Sequence, residues 1–133
     1  MRPVHTARLD KLRPVVLLTR EEVVPYLARV SVAPITSRVR GLSTEVSVGS
    51  ANGLDHESVI SLDNIATIDR ATLGPIVGYL TASQERELAA AIVAAYDLDV
   101  QVVGAASTRF LIGAPNLPAT LATAQSSRAR LVP

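Results

Sequence analysis

Arg13-Pro14-Val15-Val16-Leu17-Leu18 and Val30-Ser31-Val32-Ala33-Pro34-Ile35-Thr36 are the two stretches on which the reading of this 133-residue chain turns. Each is a short run of branched and aliphatic side chains, too brief for a helix and too apolar for a strand with one wet face. Both therefore read as strands buried on both sides. Each run is bounded by a polar group. Arg13 opens the first with a planar cationic fork that matches two phosphate oxygens at once. Thr36 closes the second with a hydroxyl that both donates and accepts. Strands hold such groups more firmly than loops do, which makes the pair a candidate anion site. An arginine so placed also caps carbonyls or pairs carboxylates, so residue type alone leaves both uses open.

Outward from these runs the chain reads as a series of short strands. Val4 to Leu9 predicts a first strand, joined by Asp10-Lys11-Leu12 to a second over Pro14 to Thr19. Thr19-Arg20-Glu21-Glu22 has capping-box spacing and predicts a brief helical turn before Pro25. Ala28 to Thr36 is the third strand, Ser37 to Ser43 a basic loop, and Thr44 to Val48 an alternating fourth strand. Asn52-Gly53 predicts a tight hairpin into Ser58 to Leu62. Ile65 to Ile68 and Ile76 to Leu80 follow, separated by a turn at Asp69 to Gly74. The grammar then changes. Thr81-Ala82-Ser83-Gln84 opens a helix with a capping box, and Leu88, Ile92 and Tyr96 share one face of it. Many short strands before one amphipathic helix predict a mainly-β or α+β domain over residues 1–100, a small bent sheet or barrel carrying a C-terminal helix. Residues 101–133 hold Gly104, Gly113, Pro115, Pro118 and Pro133, many small side chains and no acid. They read as a poorly ordered extension, with weak strand signals at Val100 to Val103 and Phe110 to Ile112 and a helical turn at Leu117 to Ala124.

Composition narrows the function classes. Apolar residues at 48% suffice for one core, and no apolar stretch reaches the length of a membrane span. The start, Met1-Arg2-Pro3-Val4-His5-Thr6, lacks an apolar secretory segment, so a cytoplasmic protein is expected. Cysteine is absent, which removes disulfides and thiolate metal sites. A net charge of +1 hides an asymmetry. Residues 1–50 carry eight Lys/Arg against four acids, and residues 51–100 carry two against eight. The basic excess lies beside Arg13 and Thr36, as an anionic partner requires. Aromatics are confined to Tyr26, Tyr79, Tyr96 and Phe110, too few for base stacking along several rings.

The usual catalytic sets are missing. There is no HExxH and no glycine-rich phosphate loop before a helix, and Asp55, Glu57, Asp63 and Asp69 are spread along loops. Neither a metal nor a cofactor is expected. Histidine pairs serve as acid and base in some ribonucleases, but nothing in the sequence brings His5 and His56 together, and each reads as a surface or structural residue.

Read in order, several segments stand in a known register. They are Arg13 to Leu18, Val32-Ala33-Pro34-Ile35-Thr36-Ser37, Arg40-Gly41-Leu42-Ser43-Thr44-Glu45-Val46, Asn52 to Asp55, Ser58-Val59, Leu62 to Ile68 and Gly78-Tyr79-Leu80. Over about residues 11–98 this order closely resembles the MazF/PemK family of bacterial toxin endoribonucleases. The resemblance implies an SH3-like barrel of the CcdB/MazF type with a C-terminal helix, acting as a homodimer. It implies metal-independent cleavage of single-stranded RNA at short sequence motifs, neutralised by a cognate antitoxin. It places catalysis at Arg13 and Thr36. Ser58 and Asn64 correspond to a family segment that lines the same groove, and with Ser37, Arg38 and Arg40 they are the candidate RNA-binding residues. A fixed guanidinium and a hydroxyl suit a reaction in which the ribose 2′-hydroxyl attacks its own phosphodiester and charge builds on the non-bridging oxygens. A guanidinium is an awkward base, so electrostatic stabilisation is the role expected of Arg13.

Two departures from the family pattern stand out. The chain opens with Val4-His5-Thr6-Ala7-Arg8-Leu9 and only a short connection, where the family has a long first loop, and it extends past residue 100. Two rival functions remain open at this point. A CcdB-like poison of DNA gyrase relies on a tryptophan-bearing C-terminal end, whereas this chain has no Trp. A catalytically degenerate relative would only bind an antitoxin.

Overall fold

The computed structural model describes residues 1–100; the extension over 101–133, with its expected strand and turn segments, lies outside the described residues. Seven strands precede one helix: β1 (Pro3–Arg8), β2 (Leu12–Leu17), β3 (Arg29–Thr36), β4 (Glu45–Val48), β5 (Ser58–Ser61), β6 (Ala66–Asp69), β7 (Leu73–Tyr79) and α1 (Ala82–Tyr96). All pairings are antiparallel, in the order β4-β5-β3-β2-β1-β7, with β6 also paired to β3.

β3 makes the bend. One edge lies on β2, while the other is shared: Arg29 to Val32 pair with β6, and Ile35 and Thr36 pair with β5. The change of partner falls at Ala33-Pro34, and Pro34 has no N–H to give to a ladder. Among the described residues no pairing joins β4 or β6 to β7, so the sheet is strongly bent and not closed. The expected barrel is thus a loose description of a mostly antiparallel sheet with a C-terminal helix.

The inner parts of β2 and β3 are apolar because both of their faces are covered there. Val16, Ala33 and Ile35 join the larger core cluster with Val4, Val46, Ile60, Leu62, Leu80 and the helix residues Leu88 and Ala91. Val15, Leu17, Val30 and Val32 point the other way, into a smaller cluster with Ala7. The twofold alternation of a strand divides the two sets.

The helix start follows the sequence reading: Thr81 Oγ1 accepts from the Gln84 N–H at 3.2 Å and Gln84 Oε1 accepts from the Thr81 N–H at 2.9 Å. Its buried face does not. Leu88 and Ala91 are buried and Ile92 and Ala95 pack beside them, while Tyr96 is 55% exposed. Fourfold steps drift by about 40° each on a helix of 3.6 residues per turn, so the row from Leu88 leaves the core by its third member.

Two turns also differ from expectation. Thr19 caps no helix; its hydroxyl accepts from the Ser31 N–H at 2.8 Å, and a 3-10 turn begins later, over Glu21–Tyr26, with Pro25 inside it. Asn52-Gly53 is not a two-residue hairpin. It closes a 3-10 turn at Ser50–Asn52 in which Asn52 is fully buried. The Asn52 amide donates to the Tyr79 carbonyl at 2.9 Å and to Gln84 Oε1 at 2.6 Å, fastening this turn to β7 and to the helix start. Gly53 (φ 82) crosses Gly78 so closely that a Cβ at either would strike the carbonyl of Val77 or of Asn52.

Candidate active site

The β2–β3 ladder runs through Leu17↔Val32, Val16↔Ala33 and Val15↔Pro34. Arg13 and Thr36 each lie two residues beyond its last pair, Arg13 near the start of β2 and Thr36 at the end of β3. Both belong to the strand positions of Val15 and Pro34, so the two polar groups leave the sheet on one side. The backbone that carries them is fixed by the apolar ladder immediately below.

Arg13 and Thr36 line two adjoining cavities. The larger, of about 400 Å³, also has Asp10, Arg38, Arg40, Glu45, Asp63 and Asn64 on its walls. The smaller, of about 270 Å³, adds Lys11, Ser37, His56 and Ser58. All seven candidate residues therefore border one groove: Arg13 and Thr36 throughout, Arg38, Arg40 and Asn64 on one side, Ser37 and Ser58 on the other.

The guanidinium of Arg13 is held by a neighbour that sequence reasoning missed. Its Nε donates to Asp10 Oδ1 at 3.1 Å and an Nη donates to Asp10 Oδ2 at 3.0 Å, a bidentate pair. Arginine has five N–H donors, so three remain for a ligand. The Arg13 hydrogen bond beside Asp10 holds its carboxyl below the ordinary value of 3.8, against a smaller opposing effect of desolvation. The short first connection thus has a use: it delivers Asp10 to the fork.

Thr36 is oriented as well. Its Oγ1 accepts the N–H of Arg38 at 3.1 Å, which leaves the hydroxyl hydrogen free to donate to a ligand. Further along, Thr44 Oγ1 donates to Asp63 Oδ2 at 2.6 Å and Asn64 Nδ2 donates to Ser61 Oγ at 2.8 Å. Ser58 is nearly buried and gives its hydroxyl to the His56 carbonyl at 3.2 Å, so it shapes the groove wall more than it offers a donor. The histidines stay apart. His5 Nδ1 donates to the Gly74 carbonyl at 2.8 Å, tying β1 to β7, while exposed His56 borders the smaller cavity.

Residues 2–96 match the family described as PemK-like, MazF-like toxin of type II toxin–antitoxin systems. The chain belongs to this toxin family. Endoribonuclease MazF3 of Mycobacterium tuberculosis is 60% identical over 99 residues, spanning 74% of this chain and 96% of that protein. The solved Mycobacterium tuberculosis toxin MazF-mt6 is 58% identical with a TM-score of 0.73, over 74% of this chain and 100% of that one. An endoribonuclease from a mycobacterial species, solved with its cognate antitoxin, shares the fold at 22% identity and a TM-score of 0.67, over 74% of this chain and 95% of that one. Every groove residue named above lies inside the segment that matches the toxin family.

Proposed function

We propose that this toxin is an endoribonuclease that cleaves single-stranded RNA at short sequence motifs without a metal ion. Arg13 and Thr36 act on the scissile phosphate. The observation that carries the reading is their placement, on the walls of the same two cavities just beyond the β2–β3 ladder, each with donors left over after its protein partner is satisfied. The relative at 60% identity is named an endoribonuclease, which supports the same reading.

In the reaction the ribose 2′-oxygen forms a bond to phosphorus as the bond from phosphorus to the 5′-oxygen breaks. The 2′-hydroxyl proton passes to water, and the departing oxygen takes one from water. The products are a 2′,3′-cyclic phosphate and a 5′-hydroxyl. Negative charge grows on the non-bridging oxygens, where the free N–H groups of Arg13 and the hydroxyl of Thr36 donate. Donors fixed in advance, in a partly enclosed groove, stabilise that charge without reorganising during the step. Arg38, Arg40 and Ser37 hold neighbouring phosphates, with Ser58 and Asn64 on the groove wall.

The partners follow from the family. A cognate antitoxin lies across the groove as an acidic, partly disordered segment, in the cytoplasm where RNA is met. Two copies pair as a homodimer, a reading supported by the exposed apolar side chains of Ile76, Val77 and Tyr79 on the sheet-edge strand β7.

The test is incubation of the pure full-length chain with mixed-sequence RNA in EDTA, followed by mapping of the new ends. Cleavage leaving 5′-hydroxyl ends, lowered by about 10² or more in Arg13→Ala and Thr36→Ala, is expected. Cleavage unchanged in Arg13→Ala, or inhibition of gyrase supercoiling without RNA cleavage, would sink the proposal.

A further inference from the structure

The loop between β3 and β4 contains an anion cradle that the protein fills itself. Gly41 stands at φ 75, and the N–H groups of Arg40, Gly41 and Leu42 all turn towards one carboxylate, that of Glu45. Oε1 accepts from the three in turn at 3.1, 2.9 and 3.2 Å, and Oε2 accepts from Arg40 at 3.3 Å. Successive N–H groups around a left-handed residue form a nest for negative charge. The carboxylate in it is itself anchored, because Glu45 begins β4 and pairs with Ser61 of β5. At the other end of the loop the Arg38 N–H is held by Thr36 Oγ1. Both ends of the segment that bears Arg38 and Arg40 are therefore tied to strands, and both arginines line the groove.

We infer that Glu45 is a positioning residue for RNA: by holding the backbone of residues 40–42 it fixes Arg38 and Arg40 along the groove, where they grip phosphates flanking the scissile bond. The inference rests on the endoribonuclease reading above. Two consequences follow from the geometry. Ordering the loop in advance removes part of the entropy that binding RNA would otherwise cost. In addition, the Glu45 carboxylate is fixed by these backbone N–H groups and forms no ion pair with Arg38 or Arg40 among the described residues. Glu45 thus governs affinity for RNA, while the chemical step belongs to Arg13 and Thr36.

The experiment measures binding and cleavage together on the full chain. The binding probe is a fluorescent 2′-O-methyl oligoribonucleotide carrying the mapped cleavage sequence, which has no 2′-hydroxyl to attack, titrated by anisotropy over about 50 to 300 mM NaCl. Glu45→Ala is expected to raise Kd and KM about tenfold and leave kcat within about twofold, because only binding groups are displaced. The slope of log Kd against log salt should fall by about 0.7 for each phosphate that the displaced arginines cease to neutralise. In an Arg38→Ala/Arg40→Ala background the same substitution should add less than about twofold, as coupled residues do. A kcat loss as large as the loss in kcat/KM, an unchanged Kd, or full additivity overturns the inference. Should Glu45→Ala fail to fold, Gly41→Ala serves. Its methyl enters open space and disturbs only the left-handed backbone of the nest, so the same loss confined to KM is expected and an unchanged Kd in the folded variant refutes the idea. A wild-type chain that neither binds nor cleaves RNA would instead overturn the endoribonuclease reading. Wild-type cleavage that depends on Arg13 and is indifferent to Glu45 overturns the positioning role alone.

Discussion

Replacing Arg13 with lysine keeps the charge and removes the fork, which separates binding from transition-state stabilisation. Two of the five N–H donors of Arg13 are committed to Asp10, and three remain on the same rigid plane. A lysine ammonium has three donors on a flexible stem and cannot grip both Asp10 oxygens while keeping a fixed edge on a phosphate. Loss of one well-placed donor to a developing oxyanion lowers kcat by about 10² to 10³, or about 2.7 to 4 kcal/mol. Arg13→Lys should therefore lose about that much in kcat while KM stays within about fivefold, since the charge that attracts the phosphate is retained. Single-turnover cleavage of an oligoribonucleotide bearing the mapped site, with EDTA present, gives the chemical step directly. Asp10→Asn belongs in the same series. It frees the fork without touching the guanidinium, so kcat should fall by about tenfold from misplacement alone. The reasoning is refuted if Arg13→Lys cleaves within about tenfold of wild type, or if its whole defect lies in KM.

Thr36 should respond to the loss of its hydroxyl and not to its shape. Thr36→Val is expected to lower kcat by about 10², and Thr36→Ser to stay within about tenfold of wild type, in the same assay. The Asp10 carboxyl is depressed below 3.8 by the hydrogen bond from Arg13, so the pair is intact above the ordinary carboxylate range and is lost only as pH falls through the depressed value. Carboxyl carbon chemical shifts should show this, with the Asp10 midpoint rising back towards 3.8 in Arg13→Ala and the cleavage rate showing no step from Asp10 above pH of about 5. Asn52→Ala strands the Gly49 N–H and the Tyr79 carbonyl that the buried amide now satisfies. At about 1 to 3 kcal/mol for each orphaned group the loss is about 3 kcal/mol, which thermal unfolding should report as a fall in Tm of about 12 to 24 °C.

The fold was legible wherever local pattern and burial agree. The two apolar runs are the doubly buried β2 and β3, and the Thr81/Gln84 capping box is present with both of its hydrogen bonds. Local pattern failed where a side chain was claimed by a distant partner. Thr19 had capping spacing, yet its hydroxyl serves a strand twelve residues on. Asn52-Gly53 had hairpin chemistry, yet Asn52 is drawn inward by Tyr79 and Gln84. At the candidate site, the ends of the apolar runs singled out Arg13 and Thr36 but not the acids that line the same cavity. Asp10 lies three residues from Arg13 across a tight connection, and Asp-x-x-Arg at a strand start is the local signal for that pair. For Glu45 the signal lay in a glycine four residues upstream inside a basic loop.

Those acids alter what the charge distribution means. The basic excess of residues 1–50 points to an anionic partner, yet the larger cavity sets Asp10, Glu45 and Asp63 beside Arg13, Arg38 and Arg40, so no net positive charge gathers there. What distinguishes the two sets is how far each is spent. Asp10 is taken by the Arg13 fork, Glu45 by three backbone N–H groups, and Asp63 receives the Thr44 hydroxyl. Each carboxylate has a protein donor, while the arginines keep N–H groups for a ligand. On the endoribonuclease reading, a phosphate entering the groove would thus meet free donors and acceptors already engaged. Affinity in such a site comes from preorganisation more than from long-range attraction. Neutralising an acid here should then weaken the groove by releasing the donor it holds, the opposite of what a simple count of charges would give.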